Sequence, residues 1–140
     1  LVLATGAAFA NPGVEARQAL MKSIVGDVKA IAGYVKGENV ETPADVAMRA
    51  EAIKANAAKI SGAFGDQVHV ENADGVKTIA SPAIWQKWDE FVATASGLES
   101  SAGALAMTAA GGDKAAIAES FGALTKNCGA CHKAFRVKKE

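Results

Sequence analysis

Cys128-Gly129-Ala130-Cys131-His132 is where the residues of this chain that can do chemistry converge. Two thiols three apart, with an imidazole directly after them, have the spacing of c-type haem attachment. On a helix, positions i, i+3 and i+4 share a face. Cys128 and Cys131 can therefore each form a thioether to a haem vinyl group while His132 turns its imidazole to the iron. Glycine and alanine between them keep bulk away from the macrocycle. Other chemistries compete for the same residues. A closed zinc site needs four ligands, and beyond these three the chain offers only the distant His69. A thioredoxin-like pair opens a helix after a strand, whereas this pair lies late in a helical repeat. A plain disulfide suits an oxidising compartment but leaves His132 unexplained. A haem-free helical protein with a redox-active Cys128–Cys131 pair is the alternative from a different class.

Something must position these residues, and the pattern of apolar positions predicts helices. Asn11-Pro12 offers a cap followed by proline at the first helical position. Val14, Arg17, Met21, Ile24, Val28, Ile31 and Val35 then recur at steps of three and four until Gly37. Thr42-Pro43 repeats the start signal, and Val46, Ala50, Ile53, Ala57, Ile60 and Phe64 repeat the seam. Ser81-Pro82 opens a third helix with Ile84, Trp88, Phe91, Ala95, Leu98, Ala102 and Leu105 on one side, ended by Gly111-Gly112. Asp113 caps a fourth, whose seam runs Ile117, Phe121, Leu124, Cys128, Cys131 and Phe135. The links are short except for the polar stretch 65–80, which holds His69, and short links favour antiparallel neighbours. The expected fold is all-α, an antiparallel up-down four-helix bundle.

Composition narrows the function. With 140 residues, one domain can bury a real core. Fifteen basic side chains balance fifteen acidic ones, which speaks against a nucleic-acid binder. Half the residues are apolar, yet alanine dominates and aromatics make up only 6%. Such a core is short of large side chains, and a haem would supply the missing volume. Small side chains are expected to line its slot. Leu1–Ala10 is apolar, uncharged and too short for a membrane span. Its Ala8-Phe9-Ala10 end has the small-x-small form of a signal-peptidase site. Residues 1–10 are thus read as the remainder of an export signal cleaved near Ala10, and 11–140 as the haem domain. Covalent haem attachment outside the cytoplasm requires export, so the two signals agree on a periplasmic location.

The terminal run from Cys128 to Arg136, at the end of a four-helix chain, resembles the class II cytochromes c, the cytochrome c′ family. Arg17-Gln18-Ala19-Leu20-Met21 is similar to the family's first-helix motif, and Pro82-Ala83-Ile84-Trp85 to the start of its third helix. The family's frequent Leu-Phe-Pro turn appears here only as Ala63-Phe64-Gly65. The resemblance implies His132 as proximal iron ligand and Met21 on the distal side. Met21 either ligates the iron, as in the low-spin His/Met branch, or crowds a vacant site that admits nitric oxide or carbon monoxide. Arg17 occupies a seam slot where an apolar residue is expected; the resemblance pairs it with a haem propionate, and the alternative is that it snorkels to water. Arg136 is implied beside the proximal imidazole, and Phe64 and Phe135 either touch the macrocycle or fill the core. Trp85 and Trp88 read as core or interface aromatics. The reading is an electron carrier, not an enzyme, with a periplasmic redox protein as partner, no nucleic acid, and a homodimer through the first two helices permitted. Six basic residues between Lys114 and Lys139 face one acid, Glu119. They either offset the helix dipole or form a docking patch.

Overall fold

The computed structural model describes residues 12–65 and 78–137. Residues 1–10, read above as an export-signal remainder, together with Asn11, His69, Lys138 and Lys139, lie outside the described residues. Six helices result: α1 (Pro12–Lys36), α2 (Pro43–Ala57), α3 (Ile60–Phe64), α4 (Ala83–Gln86), α5 (Trp88–Ala110) and α6 (Lys114–Phe135). Four long ones form the bundle. They pack in the ring order α1, α2, α5, α6, with α2–α5 the most extensive interface and α6–α1 the thinnest.

The start and stop signals act as their chemistry requires. Thr42 accepts from the Asp45 amide while the Asp45 carboxylate takes the Thr42 N–H, a reciprocal cap at the start of α2. Asp113 accepts from the amides of Ala115 and Ala116 at the start of α6. Gly37 (φ 74°) and Gly112 (φ 77°) take the left-handed conformation that ends α1 and turns the chain after α5.

Two expected helices are broken. The second stops at Ala57 and resumes as α3, because the Lys59 amide bonds three residues back to Asn56 and tightens the turn. The third is interrupted at Lys87 (φ −125°, ψ 49°). The breaks serve one contact: the Trp85 indole N–H of α4 donates to the Phe64 carbonyl ending α3 at 2.8 Å. A further link joins the chain before α4 to the end of α6. Ala80 and Arg136 form an antiparallel bridge, with Ser81 N–H on the Phe135 carbonyl (2.9 Å) and Val137 N–H on that of Ile79 (2.7 Å).

The alanines are not where the composition argument placed them. Ala50, Ala57, Ala95, Ala102, Ala106 and Ala109 are buried on α2 and α5. They draw those two backbones together instead of lining a slot beside the cysteines. The physical reason is helix spacing: small side chains permit close approach, and close approach leaves no room.

Candidate haem site

Along α2, α3 and α5 the seam is closed, from Val46 to Phe64 and from Phe91 to Leu105. Along α1 and α6 it alternates. Val14, Arg17, Ile24 and Ile31 are buried, but Met21 and Val28 are only half covered. On α6 Ile117, Leu124 and Phe135 are buried, while Phe121, Cys128 and Cys131 are half covered against the core. The incompletely covered positions thus fall on one seam, between the two helices that pack most thinly.

The register across that seam follows from one contact. Lys114 Nζ lies 5.6 Å from the centre of the Tyr34 ring. α1 and α6 run antiparallel with the same rise per residue. Thirteen residues back along α1 (34 − 21) and thirteen forward along α6 (127 − 114) lead to Met21 and Asn127. Met21 is therefore about level with Cys128.

Cys128 and Cys131 form no disulfide. The Cys128 thiol donates to the Leu124 carbonyl at 3.6 Å. Burial pushes both thiols above the usual thiol range, with the neighbouring Cys128 adding to the rise at Cys131. His132, exposed overall, has its pKa held below 6.5 by partial burial and then by the Arg136 charge. That favours the neutral imidazole, which is the ligating form. Asn127, the residue before Cys128, reaches the other way. Its side-chain amide donates to the Gly97 carbonyl (3.3 Å) and the Ser101 hydroxyl of α5, which pins the rotation of α6. Sequence reasoning overlooked Asn127. The signal was there: a poor helix former inside a helix, with small residues at the facing positions.

Arg17 is only 5% exposed, so it does not snorkel to water. Its Nε donates to the Ala63 carbonyl at 2.7 Å, and its guanidinium lies 4.6 Å from the Phe64 ring centre and 5.6 Å from Trp85. A buried cation is tolerable here because it meets a carbonyl and two aromatic faces. Phe64 and Phe135 each meet Phe91 edge-on, at 5.1 and 5.3 Å. They belong to one buried aromatic cluster that also takes in Trp85 and Trp88. Arg136 follows the last turn of α6, its N–H on the His132 carbonyl.

A haem fits these residues. Two thiols and an imidazole share one helix face, the seam beside them is half covered by apolar groups, and a side chain at Gly122 or Gly129 would meet nothing within 4 Å. A zinc cage does not fit: among the described residues, no three histidines, cysteines or acids come close enough to hold a metal.

Fold and site together define a helical-bundle c-type haem protein. The family model described as Cytochrome C' matches residues 13–136, and the chain belongs to that family. It is 36% identical to cytochrome c-556 of Agrobacterium fabrum over 137 residues, covering 98% of this chain and 89% of that protein. Cytochrome c′ from Rhodopseudomonas palustris superposes with a TM-score of 0.81 at 28% identity, covering 94% of this chain and all of the other. A nitric oxide complex of a cytochrome c prime variant from Alcaligenes xylosoxidans superposes at 0.76 with 26% identity, covering 93% and 99%. The cofactor of this family is covalently bound haem c with its iron, and the chain is a haem-binding protein of electron-transfer type. The haem-free reading of the cysteine pair is thereby set aside. No helix among the described residues is long and apolar enough to cross a membrane.

Proposed function

We propose that the chain is an exported, periplasmic single-electron carrier whose haem c is held by Cys128, Cys131 and His132, with Met21 on the far side of the iron. The observation that supports the reading is the half-covered α1–α6 seam, with Met21 on one helix and Phe121, Cys128 and Cys131 on the other. The bound haem supplies an iron that cycles between the ferric and ferrous states. The residues supply the rest. Cys128 and Cys131 would hold the haem as thioethers, each thiol adding across one vinyl group, an addition that consumes no oxidant. His132 enters as a neutral imidazole, with Arg136 four residues on along the same face. Arg17 steadies the Ala63 carbonyl and, by the resemblance, meets a haem propionate. Phe64 and Phe135 back the site from the aromatic cluster. Asn127 keeps Cys128 and His132 turned toward α1.

A five-coordinate iron binding nitric oxide or carbon monoxide is the second reading. A nitric oxide complex among the solved relatives favours it. Absorption spectra of both redox states separate the two. A sharp low-spin pattern with a sulfur-to-iron band, lost in Met21→Ala, is expected for ligation; a broad high-spin spectrum that responds to carbon monoxide overturns it. A homodimer through α1 and α2 belongs to the same proposal. Met48, 67% exposed on α2, gives that face an apolar contact.

A further inference from the structure

Among the described residues, most cations around α2 and α5 are neutralised: Arg49 pairs with Asp27 (3.0 Å) and Glu41, Lys54 with Glu51 (3.9 Å), and Lys87 with Glu90 (3.6 Å), while Lys59 meets the Asn56 side-chain oxygen (3.4 Å). Lys22 and Lys29 of α1, and Lys126, Lys133 and Arg136 at the end of α6, form no ion pair among the described residues. Over these two helices the acids are few. Asp27 is committed to Arg49, which leaves Glu15 at the start of α1 and Glu119 in α6.

Helix geometry sets Lys22 and Lys29 on the α1 bank of the half-covered seam and Arg136 on its α6 bank, with Lys133 and Lys126 on the adjoining outer face of α6. On α1, Ser23 and Asp27 bond to Asn56 and Arg49 of α2, which fixes the α2 flank. At about 100° per residue, Met21, Val25, Lys22 and Lys29 fall on the other flank, and Val25 is 44% exposed there. On α6, Asn127 bonds to α5, so Cys128, His132, Arg136 and Gly129 fall round toward α1, and Lys133 and Lys126 lie beyond them on the outer, solvent-facing side of the helix. The floor between the banks is low, because Gly129 and Gly122 carry no side chain and face open space.

We infer that the mouth of the α1–α6 seam is the docking surface for an acidic protein, the partner with which the chain exchanges electrons. This rests on the electron-carrier reading. Formal charge over the whole chain is zero, so its long-range field has no net sign and the local excess decides which partner is steered in. An acidic surface matches the two cationic banks, and the glycines let it come close to the cysteine–histidine segment. A paired face such as α2–α5 offers neither. The homodimer face proposed above lies on the α2 flank and leaves this one clear.

The test is stopped-flow oxidation of the reduced, haem-loaded protein by two probes. Each takes one electron: hexacyanoferrate(III) becomes hexacyanoferrate(II), and tris(phenanthroline)cobalt(III) becomes cobalt(II). Raising salt from about 10 to 300 mM is expected to slow the anionic probe roughly three- to ten-fold and to speed the cationic one. Poly-glutamate at low salt is expected to compete with hexacyanoferrate. The double variant Lys126→Glu/Lys133→Glu is expected to reverse both salt trends and to abolish that competition. Lys54→Glu/Lys59→Glu, with the same net charge but on α2 and beside α3, is expected to keep them. Equal trends in the two double variants, or no competition by poly-glutamate, overturn the docking surface. So does a shifted reduction potential with unchanged salt trends, since the cations then serve only the haem carboxylates. A protein that is oxidised by neither probe overturns the electron-carrier reading itself.

Discussion

The α2–α5 face and the α1–α6 face are built from the same repeat of apolar positions, yet one is sealed and the other is not. Between α2 and α5, alanines bring the backbones together, the seam is buried and most exposed cations are paired. Between α1 and α6 the seam residues are larger, several are only half covered, and Lys22, Lys29, Lys126, Lys133 and Arg136 form no ion pair among the described residues. The difference teaches where a bundle stores room for a cofactor. Packing small residues on one side does not hollow that side; it closes it and leaves the unfilled volume opposite.

The strongest way to break the comparison is to remove the covalent anchors. Cys128→Ala/Cys131→Ala is expected to lose the haem, lowering the denatured intact mass by about 600 Da relative to a protein that carries it. An unchanged haem mass in the variant would break the assignment of the open side. Next comes truncation on each seam. Ile53→Ala in the closed seam is expected to lower unfolding free energy by about 2–5 kcal/mol, in haem-free and haem-loaded protein alike. Phe121→Ala is expected to cost less than that in the haem-free chain, because its ring is already half in water, and to approach it once haem is bound. Denaturant titration of both forms gives the four values, and equal losses at Phe121 in the two forms would erase the distinction.

Smaller effects sharpen it. Asn127→Ala removes the donor to Gly97 and Ser101 and is expected to cost about 1–3 kcal/mol, with a change in the visible dichroism of the haem if α6 rotates. Trp85→Phe keeps an aromatic ring but loses the indole N–H that donates to the Phe64 carbonyl together with half of the indole, and is expected to cost about 1–2 kcal/mol in the same titration. The smallest change concerns Asp45. Its hydrogen bonds with the Thr42 side chain and backbone hold its pKa below the usual 3.8. A carboxylate depressed on folding stabilises above its unfolded pKa, and that gain is lost as pH falls through the folded value. Stability of the native chain should therefore fall slightly more than that of Asp45→Asn between pH 5 and 2, since the asparagine has no proton to gain.

Much of this was legible in advance. Proline after a capping residue at three starts, glycine at the ends of the first and third helices, and apolar steps of three and four announced the four long helices, because all three signals are local. The breaks at Ala58–Lys59 and Lys87 were not legible. They answer to the hydrogen bond between Trp85 and Phe64, two residues far apart in sequence that no local pattern connects. Cys128, Cys131 and His132 were legible because one helix face must carry all three. Arg17 stood out as a charge in an apolar row, but its carbonyl and aromatic partners come from α3 and α4 and had to be seen. The alanines misled, since composition counts volume without saying which interface will be short of it.

The link between residues 79–81 and 135–137 has a mechanical consequence. With Asp113 capping its first turn, Asn127 tied to α5 near its middle and this short backbone pairing holding its last turn, α6 is a bar fixed along its α5 side and least restrained on the side that faces α1. Gly122 and Gly129 lie within that span, beside the cysteines. A rod held this way gives room on its open flank while its ends and its α5 side keep their places. The helix that must make room for the largest body in the protein can therefore do so without losing its alignment in the bundle.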